Sequence, residues 1–206
     1  MSEHSENLAR RPRIAVITPY CKETLEVLRQ GHDSVLTQDV EAEVDHFYIA
    51  DGFPNSAIDQ WKATNIALPM AHRNVGNTPR AVGALLAEAE GYDFISFLDG
   101  DNWYRQNHLS SLIRIHEATK ASVCCSWRTF HRLDGTIISN LQEDEELAFQ
   151  HVDTSCYFVH RVIAHPRGWL VQAGRGIGFA WRVRRMASMA RIERRRAVST
   201  TERMSA

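Results

Sequence analysis

Short apolar runs rich in β-branched residues alternate along this chain with segments whose apolar residues recur at helical spacing. Residues 14–18 form the first run, ending in Pro19-Tyr20. Residues 23–38 then carry Leu25, Leu28, Val35 and Leu36 on a helical period. A second strand is predicted over 44–50, closed by the loop signal Asp51-Gly52-Phe53-Pro54, with a short helix over 55–62 and a third strand over 66–70. Thr78 as N-cap and Pro79 as first helical residue open a helix that runs to about residue 90. Residues 94–98 are continuously apolar, the pattern of a strand buried on both faces. A helix over 106–120, a hairpin of 122–130 and 136–139 around Leu133-Asp134-Gly135, an acidic helix over 143–150 and a strand over 154–160 complete the reading. Such alternation predicts an α/β fold, a mainly parallel, doubly wound sheet flanked by helices.

In sheets of this kind ligands bind at the carboxyl ends of the strands, so the polar residues directly after each apolar run are the ones to question. They are Thr18-Pro19-Tyr20, Asp51, the loop 73–77 with Arg80, and Asp99-Gly100-Asp101. Carboxylates two residues apart at the end of a buried strand repel one another unless a cation sits beside them. Mg²⁺ or Mn²⁺ suits such a pair, completing its shell with water and phosphate oxygens; a solvated acidic turn is the other reading. Asp51 could accept a nucleobase N–H or be an ordinary turn residue. Tyr20 could stack on a base or pack as a loop aromatic. Arg80 could meet a phosphate.

At 206 residues the chain suits one sizeable core. No stretch reaches the roughly eighteen apolar residues of a membrane-spanning helix, and the N-terminus lacks the apolar segment of a signal peptide. The four cysteines (Cys21, Cys124, Cys125, Cys156) lack C-x-x-C spacing, which favours free thiols and a cytoplasmic location. None of the ten histidines falls in an H-E-x-x-H motif, and neither G-x-S-x-G nor a P-loop is present, which argues against a zinc hydrolase, a serine hydrolase or an ordinary NTPase. Residues 1–160 carry a net charge of −10 and residues 161–206, with eleven arginines and no lysine, +9. This suggests a flexible segment over 1–12, a folded domain over 13–160 and an arginine-rich tail over 161–206. The tail could touch an anionic membrane surface or nucleic acid; the acidic body argues against nucleic acid.

The motif order resembles the nucleotide-binding half of family 2 glycosyltransferases, which have the GT-A fold. The matching residues are Ile14-Ala15-Val16-Ile17-Thr18-Pro19-Tyr20, Ile49-Ala50-Asp51-Gly52, Arg73-Asn74-Val75-Gly76-Asn77 with Arg80, and Phe97-Leu98-Asp99-Gly100-Asp101-Asn102. The resemblance implies a UDP- or GDP-sugar donor, with Thr18 and Tyr20 lining the base pocket, Asp51 holding the base, Arg80 near the nucleotide or its phosphates, and Pro19 and Asp99 also among the nucleotide-sugar-binding residues. It makes Asp99 and Asp101 the D-x-D signature, with Asp101 as direct ligand of Mn²⁺ or Mg²⁺. It further implies inverting transfer to a glycan, a lipid-linked saccharide or a small molecule, at the inner face of a membrane or in the cytoplasm. An inverting reaction needs a general base, for which Asp153 is the candidate; a structural carboxylate at a strand start is its other reading. A nucleotide-sugar-binding protein without a base, and a nucleic-acid binder acting through the tail, are the competing functions.

Overall fold

The computed structural model describes residues 10–132, 136–138, 152–162 and the backbone of 189–191. An interior strand of its sheet is β1 (Arg13–Tyr20), buried from Ile14 onward because its side chains feed cores on both faces of the sheet. It runs parallel to β2 (Glu43–Ala50) on one side and β4 (Phe94–Phe97) on the other, and β2 is parallel to β3 (Thr64–Ala67). Beyond β4 one strand reverses: β6 (Tyr157–His160) is antiparallel to both β4 and β5 (Val123–Cys125), so β5, and β7 (Met189–Arg191) parallel to it, run in the sense of β4. The order β3-β2-β1-β4-β6-β5-β7 keeps the expected mainly parallel α/β class: among the described strands only β6 runs against the others.

The period of two along β1 sorts the core. Ala15 and Ile17 face Ala84 and Ala87 of α2 (Asn77–Ala89). Ile14 and Val16 face Val35 of α1 (Leu25–Leu36) and Leu109 and Leu112 of α3 (His108–Thr119). Each fully buried isoleucine here, such as Ile14, Ile17, Ile49 and Ile95, contributes roughly 1.5–3 kcal/mol.

Several local expectations shift. Residues 55–62 hold only a 3-10 turn, Ser56–Gln60, and β3 lies two to three residues earlier than the apolar run suggests. Helix α2 is capped by Gly76 in the left-handed region (φ 74) rather than by Thr78. The Thr78 hydroxyl instead accepts from Asn74 Nδ2 at 2.7 Å, and Pro79 falls in the first turn, where its missing N–H is not required. The hairpin is present as a bridge between His131 and Ile137, while its tip and the acidic helix over 143–150 lie outside the described residues. The last strand is a 3-10 turn, Thr154–Cys156, followed by β6. All four cysteines are free thiols.

A buried histidine pair sits between α1 and β2. His32 Nδ1 lies 3.0 Å from His46 Nδ1, so one nitrogen must donate and the other accept, which requires the accepting ring to be neutral and forbids both rings from being charged together. Burial lowers the pKa of both, with the neighbouring His32 lowering His46 further. Burial also pushes His108 down to about 3. These folded-state values lie below the unfolded value, so the unfolded chain binds more protons and stability falls as pH drops below about 6.5. His108 alone should remove about 1.3 kcal/mol between pH 7.5 and 5.5, with His46 acting in the same direction. Urea midpoints at the two pH values measure this; equal midpoints would contradict it.

Candidate functional site

Strand register brings the chemistry to one edge. Tyr20 pairs with Ala50 and Ile17 with Phe97, so Asp51 and Asp99 emerge at the carboxyl ends of neighbouring strands on either side of Pro19-Tyr20. Pro19, Tyr20, Asp51, Arg80, Asp99 and Asp101 line one cleft of about 250 Å³, with Cys21, Glu23, Val75, Gly76 and Gly100 completing its wall.

Asp51 is only 6% exposed and already engaged. Its Oδ1 accepts from the His72 N–H at 2.9 Å and lies 2.8 Å from His72 Nδ1, while its Oδ2 accepts from the Arg73 N–H at 3.3 Å. Burial alone would raise its pKa; the hydrogen bonds from His72 and Arg73 and the charge on His72 outweigh burial and hold the carboxyl below its ordinary value. A carboxylate oxygen has room for further donors, so Asp51 can still receive one from a ligand.

The strap after His72 is strained. Arg73 (φ 53) and Val75 (φ 57) both adopt the left-handed region, a rare conformation for a β-branched residue such as Val75. Two side chains hold it there. Asp51 binds the Arg73 N–H, and Arg80 Nη1 donates to the Val75 carbonyl at 2.7 Å. Val75 itself stands 83% exposed at the cleft wall.

Arg80 is buried beneath that strap, and its Nη2 donates to Asp99 Oδ1. Among the described residues its buried Nε has no hydrogen-bond partner. The carboxyl of Asp99 nonetheless has a raised pKa: burial raises it most, the Arg80 guanidinium lowers it, and the carboxylates of Asp153 and Asp101 raise it again. Asp101 is exposed at the cleft. Among the described residues no group of three or more His, Cys, Asp or Glu side chains is arranged to hold a metal ion unaided. Two carboxylates beside a phosphate-sized cleft do fit Mg²⁺ or Mn²⁺, which draw their remaining ligands from water and phosphate.

Two of the residues expected at the base pocket point elsewhere, and strand parity explains it. Thr18 and Tyr20 share the face of Ile14 and Val16, beneath α1. The Thr18 hydroxyl is buried 2.8 Å from His46 Nε2, and Thr18 does not line the cleft. The Tyr20 ring packs in a cluster with Leu28, Tyr48 and Trp61, its hydroxyl donating to Asn65 Oδ1 at 2.9 Å and accepting from the Asn55 N–H at 3.0 Å. It is 3% exposed, which leaves no ring face for a base. Pro19 has the opposite parity and faces the cleft beside Gly76, where an added Cβ would stand 3.1 Å from the proline ring.

Both carboxylate oxygens of Asp153 are engaged. Its Oδ1 caps the 3-10 turn by accepting the Ser155 N–H at 2.9 Å, and its Oδ2 pairs with Arg128 Nη1 at 2.8 Å. The sequence alone missed His72 and Ser155, both of which hold cleft residues across long separations. No spacing rule reaches across the 21 residues between Asp51 and His72.

Crystal structures of TarS 1–349 from S. aureus share this architecture. The complex with UDP matches at a TM-score of 0.67 and 10% identity over 87% of this chain and 57% of that one. The complex with UDP-GlcNAc matches at 0.68 and 11% identity over 87% and 56%. The present chain thus spans little more than half of TarS 1–349, and 35% of the longer TarS structure. At that identity the likeness concerns the fold, which is of the GT-A type. The sequence pattern of glycosyl transferase family 2 matches residues 15–167, and the chain belongs to that family. No curated protein matches it.

Proposed function

We propose that the cleft binds a uridine diphosphate sugar and that the protein transfers the sugar, with inversion, to an acceptor hydroxyl on a glycan, a lipid-linked saccharide or a small molecule. One observation carries this reading: Asp51 after β2, Arg80 in α2 and Asp99 and Asp101 after β4 line a single cleft at the carboxyl edge of the sheet. The UDP and UDP-GlcNAc complexes of TarS support a uracil nucleotide. Asp51, held rigidly by His72 and Arg73, accepts the base N–H. Arg80, anchored on Asp99 and Val75, places positive charge beside the diphosphate. Asp99 and Asp101 would hold Mn²⁺ or Mg²⁺, which when bound offsets charge on the departing phosphate. Among the described residues no helix is long and apolar enough to cross a membrane; contact with an anionic membrane face would fall to the arginines after residue 160.

A second reading, binding without transfer, is favoured by the engagement of both Asp153 oxygens. Calorimetry with UDP and GDP, with and without Mn²⁺, tests the site itself. UDP should bind more tightly than GDP, and Mn²⁺ should tighten UDP by at least about tenfold through ligands that Asp101→Asn removes. A folded protein that ignores UDP would overturn the proposal. Slow release of UDP from UDP-GlcNAc would separate a working enzyme from a binding protein.

A further inference from the structure

Residues 99–102 form a tight turn closed by the Asn102 N–H donating to the Asp99 carbonyl at 2.9 Å. One side chain from a distant part of the chain clips both ends of it. The Ser155 hydroxyl oxygen accepts from the Asp99 N–H at 3.1 Å and from Asn102 Nδ2 at 3.0 Å, across separations of 56 and 53 residues. Ser155 is itself fixed, since its own N–H donates to Asp153 Oδ1, and Asp153 Oδ2 is pinned by Arg128. On its other side the turn rests on the segment after β1. A Cβ on Gly100 would lie 3.3 Å from the Glu23 side chain and 3.3 Å from the Pro19 carbonyl. Glu23 Oε2 accepts from the N–H groups of Cys21 and Lys22 at 2.6 and 2.9 Å, which folds that segment against the turn.

The turn is therefore gripped from two sides; Arg80 binds the Asp99 carboxylate, and the Ser155 hydroxyl bridges both ends of the turn through the Asp99 N–H and the Asn102 side chain. Asp101 makes none of the hydrogen bonds or ion pairs described for this turn. Its direction is set by the turn that carries it, and hence by what fixes Asp99 and Asn102.

Resting on the reading of Asp99 and Asp101 as holders of a divalent cation, we propose that Ser155 is a positioning residue for that function. Its hydroxyl, gripping both ends of the turn, aims Asp101 into the cleft. The Arg128–Asp153–Ser155 relay gives Asp153 its part in the site: it orients Ser155.

The test uses the full chain and UDP as probe. In Ser155→Ala the Mn²⁺-dependent gain in UDP affinity should shrink by about tenfold, the worth of one or two hydrogen bonds. Affinity measured without Mn²⁺ should stay within about twofold, because Asp51 and Arg80 do not touch Ser155. Ser155→Thr, which keeps the hydroxyl, should restore the gain. In the metal-free protein, exchange of the Asp99 amide hydrogen should quicken in Ser155→Ala and not in Ser155→Thr. Should Ser155→Ala fail to fold, Asn102→Ala removes the other half of the clip from the exposed side and should show a smaller loss of the same metal-dependent kind.

Loss of affinity equally with and without Mn²⁺ would make Ser155 a merely structural residue and overturn the proposal while leaving the nucleotide site intact. An undiminished Mn²⁺ gain in Ser155→Ala would do the same. Wild-type protein whose UDP binding ignores Mn²⁺ would overturn the metal reading and this proposal together, an outcome distinguishable because it needs no variant.

Discussion

Gly52→Ala should cost 3 kcal/mol or more of stability (about the upper range for single substitutions) and abolish UDP binding. Gly52 has φ +83, and a Cβ there would stand 2.3 Å from the Ala71 backbone nitrogen and 2.7 Å from the Met70 carbonyl carbon. Those are backbone atoms, so no side-chain rotation relieves the overlap. The segment that must retreat is the one leading directly into His72 and Arg73, whose N–H groups hold Asp51. The damage therefore passes from the turn to the residue proposed to read the base. Gly91→Ala supplies the control. Gly91 also has positive φ (+76), but nothing lies within 4 Å of its Cβ position. It should cost only about 1 kcal/mol, the strain of a left-handed alanine. Urea denaturation of the two variants separates backbone strain from overlap. Equal losses would show that the 52–71 contact does not govern the site.

The parts of this architecture legible in the sequence are those that local pattern determines. Asp51 and Asp99 follow apolar runs at once, and parallel register necessarily brings such run ends to one edge; the proposed site was visible for that reason. Arg80 was placed near the cleft by its position in a helix opening there, but its partnership with Asp99 crosses 19 residues and belongs to tertiary packing. Thr18 and the ring of Tyr20 turn away from the cleft, although Tyr20 is part of its wall: residues 14, 16, 18 and 20 share a face, and α1 covers that face. Residue type suggested base stacking, whereas burial against α1 decided the orientation. The Gly76 cap was missed because a threonine followed by proline resembles a helix start more strongly than a glycine does. The antiparallel β6, lying between β4 and β5, could not be read from any run of residues, since strand order is a property of the sheet.

Arg80→Met should lower UDP affinity in the presence of Mn²⁺ by more than about a hundredfold and reduce stability by about 2 kcal/mol. The guanidinium serves two masters. It neutralises Asp99, and it holds the Val75 carbonyl and with it the strained strap. Without it Asp99 faces only burial and the carboxylates of Asp153 and Asp101, all of which push its pKa up. The side chain of Asp99 is 27% exposed, so water relieves part of the loss, and the stability cost falls below that of a fully buried broken pair. The binding loss is not relieved in this way, because a protonated Asp99 is a poor metal ligand. Its sign is testable: a folded-state pKa raised further makes the ionised form scarcer at low pH. UDP–Mn²⁺ affinity in Arg80→Met should then fall away on acidification at a higher pH than in the wild type. Arg80→Lys keeps the charge but not the fork, and cannot reach both Asp99 and Val75. It should recover the pH profile and part of the affinity while the strap stays loosened. An Arg80→Met protein that binds UDP with Mn²⁺ as the wild type does would remove Arg80 from the site.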